Sequence, residues 1–127
     1  MNAEASESPG GVYRGYLASG KLGFQRCSGC GKAVFYPRLV CPVCGGADLV
    51  WETSSGRGTV YATTAVYRRD AGPYNVALVD LEEGFRMMSR IEGVPADRVE
   101  IGMSVAFRVV HEGDDPIPVF VLQSEAP

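Results

Sequence analysis

Apolar and polar residues alternate along most of the second half of the chain, and that alternation predicts strands. Residues 59–69 are rich in Thr, Val and Tyr. Val60, Ala62, Thr64 and Val66 fall on one face, against Thr59, Tyr61, Thr63 and Tyr67 on the other. Asp70-Ala-Gly-Pro73 reads as a turn. Residues 74–82 are apolar on both faces as far as Asp80, and Glu83-Gly84 makes a tight hairpin connection. Residues 85–91 alternate cleanly, with Phe85, Met87 and Ile91 inward and Arg86, Met88 and Arg90 outward. One helical turn at most fits around residues 95–98. Met103, Val105, Phe107 and Val109 then share a face, Gly113-Asp-Asp-Pro116 reads as a loop, and residues 117–122 form a last strand. Pro118 cannot donate to a ladder, which puts that strand near an edge. A long first strand, a three-stranded meander, a short linker element and a final hairpin give the strand order of an OB-fold barrel. An open five-stranded sheet is the alternative.

The first half follows a different pattern. Residues 1–11 are polar, with Ser6, Ser8, Pro9, Gly10 and Gly11, and are expected to form a disordered tail. A short helix is predicted next, with Val12, Tyr13, Tyr16 and Leu17 in one apolar stripe and Gly20 as its stop. So short a helix is unstable alone, so its stripe must dock, on its own domain or on a partner or ligand. Short strands are expected at 22–26, across 32–40 as a strand and turn, and at 47–52. Pro37 puts the second of these on an edge. Phe35, Tyr36 and Arg38 sit on a module with little interior. They either cover a neighbouring domain or are exposed contact residues. Trp51, the only tryptophan, is expected where the two modules meet. Ser54-Ser-Gly-Arg-Gly58 reads as a joint. The expected division is a tail over 1–11, a helix over 12–21, a ribbon over 22–54 and a barrel over 55–127.

All four cysteines lie between these strands as Cys27-Ser-Gly-Cys30-Gly31 and Cys41-Pro-Val-Cys44-Gly45, with ten residues separating Cys30 from Cys41. Two CxxC pairs, each followed by glycine, form the signature of a zinc ribbon. Each pair is a knuckle presenting two thiolates, and the following glycine suits positive φ where the backbone folds over the sulfurs. Four sulfurs make a closed tetrahedral site with no position left for water, which is structural rather than catalytic. A single iron, held as in rubredoxin, fits the same spacing. Two disulfides are the other alternative, but a bond within a CxxC is strained. A thioredoxin-like redox CxxC would occur once, ahead of a helix.

Composition narrows the function. The chain has 127 residues and a net charge of −3. Residues 1–56 carry five basic and four acidic groups; residues 57–127 carry seven basic and eleven acidic groups. A net of −4 on the barrel gives no basic track for phosphates, which argues against nucleic acid. No apolar run approaches the ~20 residues of a membrane helix. The acidic, Ser-rich N-terminus lacks the order of a secretory signal, and cysteines in metal spacing suit a reducing cytoplasm. No G-x-S-x-G, H-E-x-x-H or spare cysteine is present. His111, the only histidine, beside Asp114 and Asp115, is expected to be plain surface.

Five stretches in order carry a more specific resemblance: Gly20-Lys-Leu22 after the helix; Arg26-Cys-Ser-Gly-Cys-Gly31; Phe35-Tyr-Pro-Arg38 ahead of Cys41-Pro-Val-Cys-Gly45; Ser55-Gly-Arg-Gly-Thr-Val60; and Ile101-Gly-Met-Ser-Val105. Over nearly its whole length the chain resembles the zinc-ribbon plus OB-fold accessory proteins catalogued as domain-of-unknown-function thirty-five. That resemblance implies a mainly β protein: an N-terminal short helix, a rubredoxin-like zinc ribbon and a C-terminal five-stranded OB-fold barrel. It implies one structural zinc on Cys27, Cys30, Cys41 and Cys44. It implies a non-catalytic accessory subunit that binds a thiolase, acyltransferase, thiolase-like aldolase or hydratase in lipid, steroid or polyketide-type metabolism. Such a subunit would help bind or channel acyl-CoA, with the catalytic residues on the partner. Tyr13, Tyr16, Leu17, Phe35, Tyr36 and Arg38 are then the candidate contacts to partner or acyl-CoA. Arg14, Lys21, Arg26 and Arg38 are candidate phosphate partners. An OB-fold nucleic-acid-binding module is the alternative function.

Overall fold

Ser8 starts the first element of the computed structural model, which describes residues 8–125. Its side chain accepts from the Gly11 N–H at 3.1 Å and caps helix α1, Pro9–Ala18, with Pro9 in the first turn where no donor is missed. The apolar stripe alone suggested a start at residue 12. The cap moves it three residues earlier, so 9–11 belong to the helix and not to a tail. Residues 1–7 of the expected tail lie outside the described residues.

Three antiparallel strands form the ribbon sheet in the order β2-β1-β3: β1 is Gly23–Cys27, β2 is Ala33–Val34 and β3 is Leu49–Thr53. The strand expected across 32–40 is only two residues long. Beyond it the chain turns onto Gln25, which is buried. Its side-chain amide donates to the Arg38 carbonyl at 2.9 Å and accepts from the Arg38 N–H at 2.8 Å. Those two bonds satisfy backbone groups that a longer ladder would have paired.

The second sheet has five antiparallel strands in the order β6-β5-β4-β7-β8. They are β4 Arg57–Val66, β5 Tyr74–Leu81, β6 Arg86–Ser89, β7 Ser104–Glu112 and β8 Asp115–Leu122. A single 3-10 turn, Ala96–Arg98, separates β6 from β7. The sheet curls until its edges meet at a parallel bridge between Ile91 and Phe120. There the Phe120 N–H donates to Arg90 at 3.0 Å and the Glu92 N–H to Phe120 at 2.8 Å. Buried Asn75 braces the closure, accepting from the Ile91 N–H at 2.9 Å and donating to the Thr63 hydroxyl at 2.8 Å.

Two expectations for this sheet are corrected. A bulge between Val60 and Ala62 shifts the register of β4 on β5. Val60 faces the core, but Ala62, Thr64 and Val66 pair with Leu78, Val76 and Tyr74 on the outer face, so simple alternation fails there. The loop expected over 113–116 shrinks to Gly113-Asp114, because β8 begins at Asp115 and carries Pro116 and Pro118 on the outer edge of the sheet.

One core serves both sheets. Leu22, just ahead of β1, and Phe24 of β1 join Phe35, Val60, Val79, Phe85, Met87, Val105 and Phe120 in a single buried cluster, with Tyr13 of the helix packed against it. Phe35 stacks on Phe85 at 5.1 Å, Phe24 lies 4.8 Å from Phe85, and Tyr13 meets Phe35 edge-on at 5.5 Å. Trp51 was expected between ribbon and barrel; it stacks instead on Tyr16 of α1 at 5.6 Å. Gly23 permits this. A Cβ there would lie 2.5 Å from the Tyr16 ring.

Candidate metal centre and its surroundings

Each CxxC closes as a tight turn. The Gly31 N–H donates to the Cys27 carbonyl at 2.7 Å, and the Gly45 N–H to the Cys41 carbonyl at 2.9 Å. Both glycines take positive φ, 79° and 76°, where a side chain would be strained. The ribbon strands hold the two knuckles face to face. Ser28 donates from its N–H and hydroxyl to Asp48, Cys27 from its N–H to Lys32, and Cys41 from its N–H to Gly46. Arg26 bridges the first knuckle to β3, donating to the Gly31 carbonyl at 3.0 Å and pairing with Glu52 at 3.3 Å.

The four Sγ atoms all lie within 4.8 Å of one another. Cys27 to Cys44 is 3.5 Å and Cys30 to Cys41 is 3.7 Å. A disulfide needs about 2.05 Å, and all four cysteines are free. A tetrahedral ion with metal–sulfur bonds of about 2.3 Å has sulfur–sulfur edges of about 3.8 Å, close to these two distances. Cys27 and Cys41 are buried, and Cys30 and Cys44 are exposed on the outer side. The set can hold a metal ion.

Electrostatics point the same way. Backbone N–H groups of Cys44 and Val43 aim at the Cys41 sulfur and draw its thiol down to about 7. Cys44 receives the Gly46 N–H, which favours its thiolate, yet the adjacent Cys27 sulfur and burial push it up to about 11. Cys30 is also raised, although the Lys32 N–H favours its thiolate. The Cys30 and Cys27 sulfurs help hold the Cys41 thiolate, and with Cys41 they disfavour that of Cys44, so ionising one thiol holds back another; a cation among them would remove that opposition.

The candidate contact residues separate into two groups. Leu17 and Phe35 are buried at 4% and 8% exposure, Tyr13 is packed on the core, and Tyr16 is covered by Trp51. These four hold the helix onto the ribbon and barrel. Tyr36, 55% exposed, and exposed Arg38 remain on the surface. Arg14 and Lys21 are exposed, and Arg26 is engaged at the first knuckle. His111, Asp114 and Asp115 lie exposed along the β7–β8 hairpin. No helix among the described residues is long and apolar enough to cross a membrane.

Comparison with known proteins fits this architecture. Residues 14–50 match the rubredoxin-like zinc ribbon domain of ChsH2, and residues 51–110 match its C-terminal OB-fold domain. A DUF35 domain-containing scaffold protein of Methanothermobacter thermautotrophicus is 35% identical over 102 residues, covering 73% of this chain and 77% of that protein. The chain belongs to the DUF35 family. The solved Ltp2-ChsH2(DUF35) aldolase contains a similar DUF35 chain, with a TM-score of 0.78 at 30% identity over 87% of this chain and 91% of that one. The benzoylsuccinyl-CoA thiolase subunit BbsA of Thauera aromatica is 29% identical over 98 residues, 74% of this chain and 68% of that subunit. A probable enoyl-CoA hydratase alpha subunit of Thermomonospora curvata is 35% identical over 107 residues; this chain spans 79% of itself but only 33% of that protein.

Proposed function

We propose that this DUF35 chain is a non-catalytic subunit that binds and supports a thiolase-superfamily or related acyl-CoA enzyme. The similarity to the DUF35 chain of the Ltp2-ChsH2 aldolase, over nine-tenths of that chain, carries this reading. The chemistry of the site agrees with it. Among the described residues, the group of three or more metal-ligating side chains is Cys27, Cys30, Cys41 and Cys44. We assign these as the ligands of one structural zinc. Four sulfurs leave no open position for a reacting water. Zinc would supply binding energy to the fold of the ribbon, not chemistry on a substrate. Helix α1 (Pro9–Ala18), the ribbon over 22–54 and the barrel from residue 55 on then act as one scaffold, in a reducing cytoplasm where free thiolates persist.

The test is purification of the tagged chain from its native cell, with the co-purifying protein identified by mass spectrometry and the metal assayed. The expected result is a stoichiometric thiolase-like or other acyl-CoA enzyme and one zinc per chain. A red preparation containing iron would overturn the zinc assignment. Recovery with nucleic acid, in a complex that salt dissolves, would replace the reading with an OB-fold nucleic-acid-binding module.

A further inference from the structure

Strand β5, between β6 and β4 in the barrel sheet, is apolar on both faces. Ala77, Val79 and Leu81 point into the core, while Val76 and Leu78 point out. The bulge in β4 adds to the outer face by turning Ala62 and Val66 outward beside Tyr61. On the other side, β6 sets Met88 against Leu78 and Arg86 against Asp80. The result is a three-stranded outer surface with an apolar centre. Its flanks are exposed, Tyr61 at 49%, Tyr74 at 41% and Met88 at 59%, while Leu78 and Val76 at its centre are half-buried.

The polar groups on this face are already held in place. The Arg86 guanidinium lies 3.4 Å over the Tyr61 ring and pairs with Asp80. The Arg68 guanidinium lies 4.8 Å over Tyr74 and donates twice to the Gly72 carbonyl. Side chains fixed before binding lose less entropy on binding. Tyr, Met and Arg are also the residues enriched in protein interfaces. The face continues onto the ribbon, where the Tyr36 hydroxyl accepts from the Met88 N–H at 3.4 Å, close to Arg38. At its far end, neither Arg68 nor Arg69 is in an ion pair among the described residues. The barrel as a whole carries an acidic excess, and these two arginines are the basic groups at this end, with Asp70 next in the chain and Asp97 against Tyr67.

We propose that the outer face of β4, β5 and β6, centred on Leu78 and Met88, is the surface that docks on the partner enzyme. The partner surface it fits has an apolar centre and carboxylates facing Arg68 and Arg69. This inference rests on the accessory-subunit reading and moves the contact away from α1, whose apolar stripe is used internally. A single-stranded nucleic acid fits the face less well. Bases stack on open aromatic rings, but Tyr61 and Tyr74 each carry their own arginine on a ring face, and Asp80 sits among the groups a phosphate would meet.

The test compares the wild-type chain with three variants, each with its partner enzyme as recovered and identified from the native cell. Met88→Lys is expected to weaken the complex roughly 30-fold or more, the scale of an interface hot spot. The double variant Arg68→Glu/Arg69→Glu is expected to slow association and flatten its dependence on salt. Val50→Lys, an exposed position on the ribbon sheet, is expected to bind as the wild type does. Melting temperature and metal content, unchanged in all three, separate a lost contact from a lost fold. Wild-type affinity in Met88→Lys would overturn the docking face while leaving the accessory role intact. Failure of the wild-type chain to recover any acyl-CoA enzyme would overturn both. Nucleic acid recovered by the wild type and lost in the Arg68/Arg69 variant would give the face to a different ligand.

Discussion

The ribbon and the barrel are both small antiparallel sheets, but different forces hold them. The barrel closes on itself and encloses large apolar side chains from all five of its strands and the segments between them. The ribbon has three strands, one of them two residues long, and its own buried cluster is only Cys27, Val34 and Cys41, with Leu49 beside it. So little apolar burial cannot offset the cost of ordering some thirty residues at about 1–2 kcal/mol each. The ribbon has two other supports. At its outer end the four sulfurs are spaced for an ion. At its inner end Leu22, Phe24 and Phe35 are part of the barrel core. A module with so small a core of its own is held at its inner end by the barrel, and an ion at the sulfurs would pin the outer end, so the two halves are expected to fold as one unit.

The strongest way to break that comparison is to remove the outer pin. Cys41→Ser takes away a ligand that is buried and central to the second knuckle. Structural zinc in small modules contributes apparent binding energies of roughly 10–16 kcal/mol, and whole domains are stable by only about 5–15 kcal/mol. The variant is expected to lose its metal and unfold the ribbon. Because the core is shared, hydrogen exchange should also quicken at barrel amides near Phe85 and Met87. If the variant lost its metal yet kept the wild-type melting temperature, the sulfur cluster would be no pin at all.

Removing the inner pin has the next largest effect. Phe24 is fully buried in β1, against Phe85 of the barrel. Phe24→Ala leaves a cavity and is expected to cost about 3–5 kcal/mol. If the two sheets fold together, the loss appears as one cooperative transition at lower denaturant, with metal affinity weakened as well. Two separate transitions, or a metal affinity unchanged within error, would make the ribbon independent and contradict the shared core.

The sequence was most legible where a single physical demand acts on a residue. The four cysteines and their following glycines have only one good arrangement. The inward set Phe85, Met87 and Ile91 follows from the period of two, and all three are buried. Legibility failed where an added local interaction overrides the pattern. Ser8 capped a helix that the apolar stripe alone placed later. The bulge at Val60 reversed the faces of the rest of β4. Gln25, read only as part of a strand, folds the loop at Arg38 by two hydrogen bonds. Among the contact candidates, Phe35 and Leu17 were apolar for the sake of the core, whereas Tyr36 stayed on the surface. Aromatic identity does not separate these cases. The partners across the fold do.

The smallest expected effect tests the seam between the two halves by pH. Burial pushes the Tyr13 phenol from 10.0 up to about 12, with nearby Tyr36 adding to the rise. The folded state thus favours the neutral phenol, which lies edge-on to Phe35. For a group raised on folding, the associated stability is fully present below the unfolded value and is lost as pH rises through the folded one. The window here runs from about 10 to about 12, and neutral pH is unaffected. An ultraviolet titration should show a late-ionising component from Tyr13, and melting temperature should fall across that window. Tyr13→Phe keeps the ring and removes the proton, so it should abolish the late component and shallow the alkaline loss. If the late component persists in Tyr13→Phe, another tyrosine is the buried one, and the helix does not seal the junction of ribbon and barrel as the packing of Tyr13 on Phe35 requires.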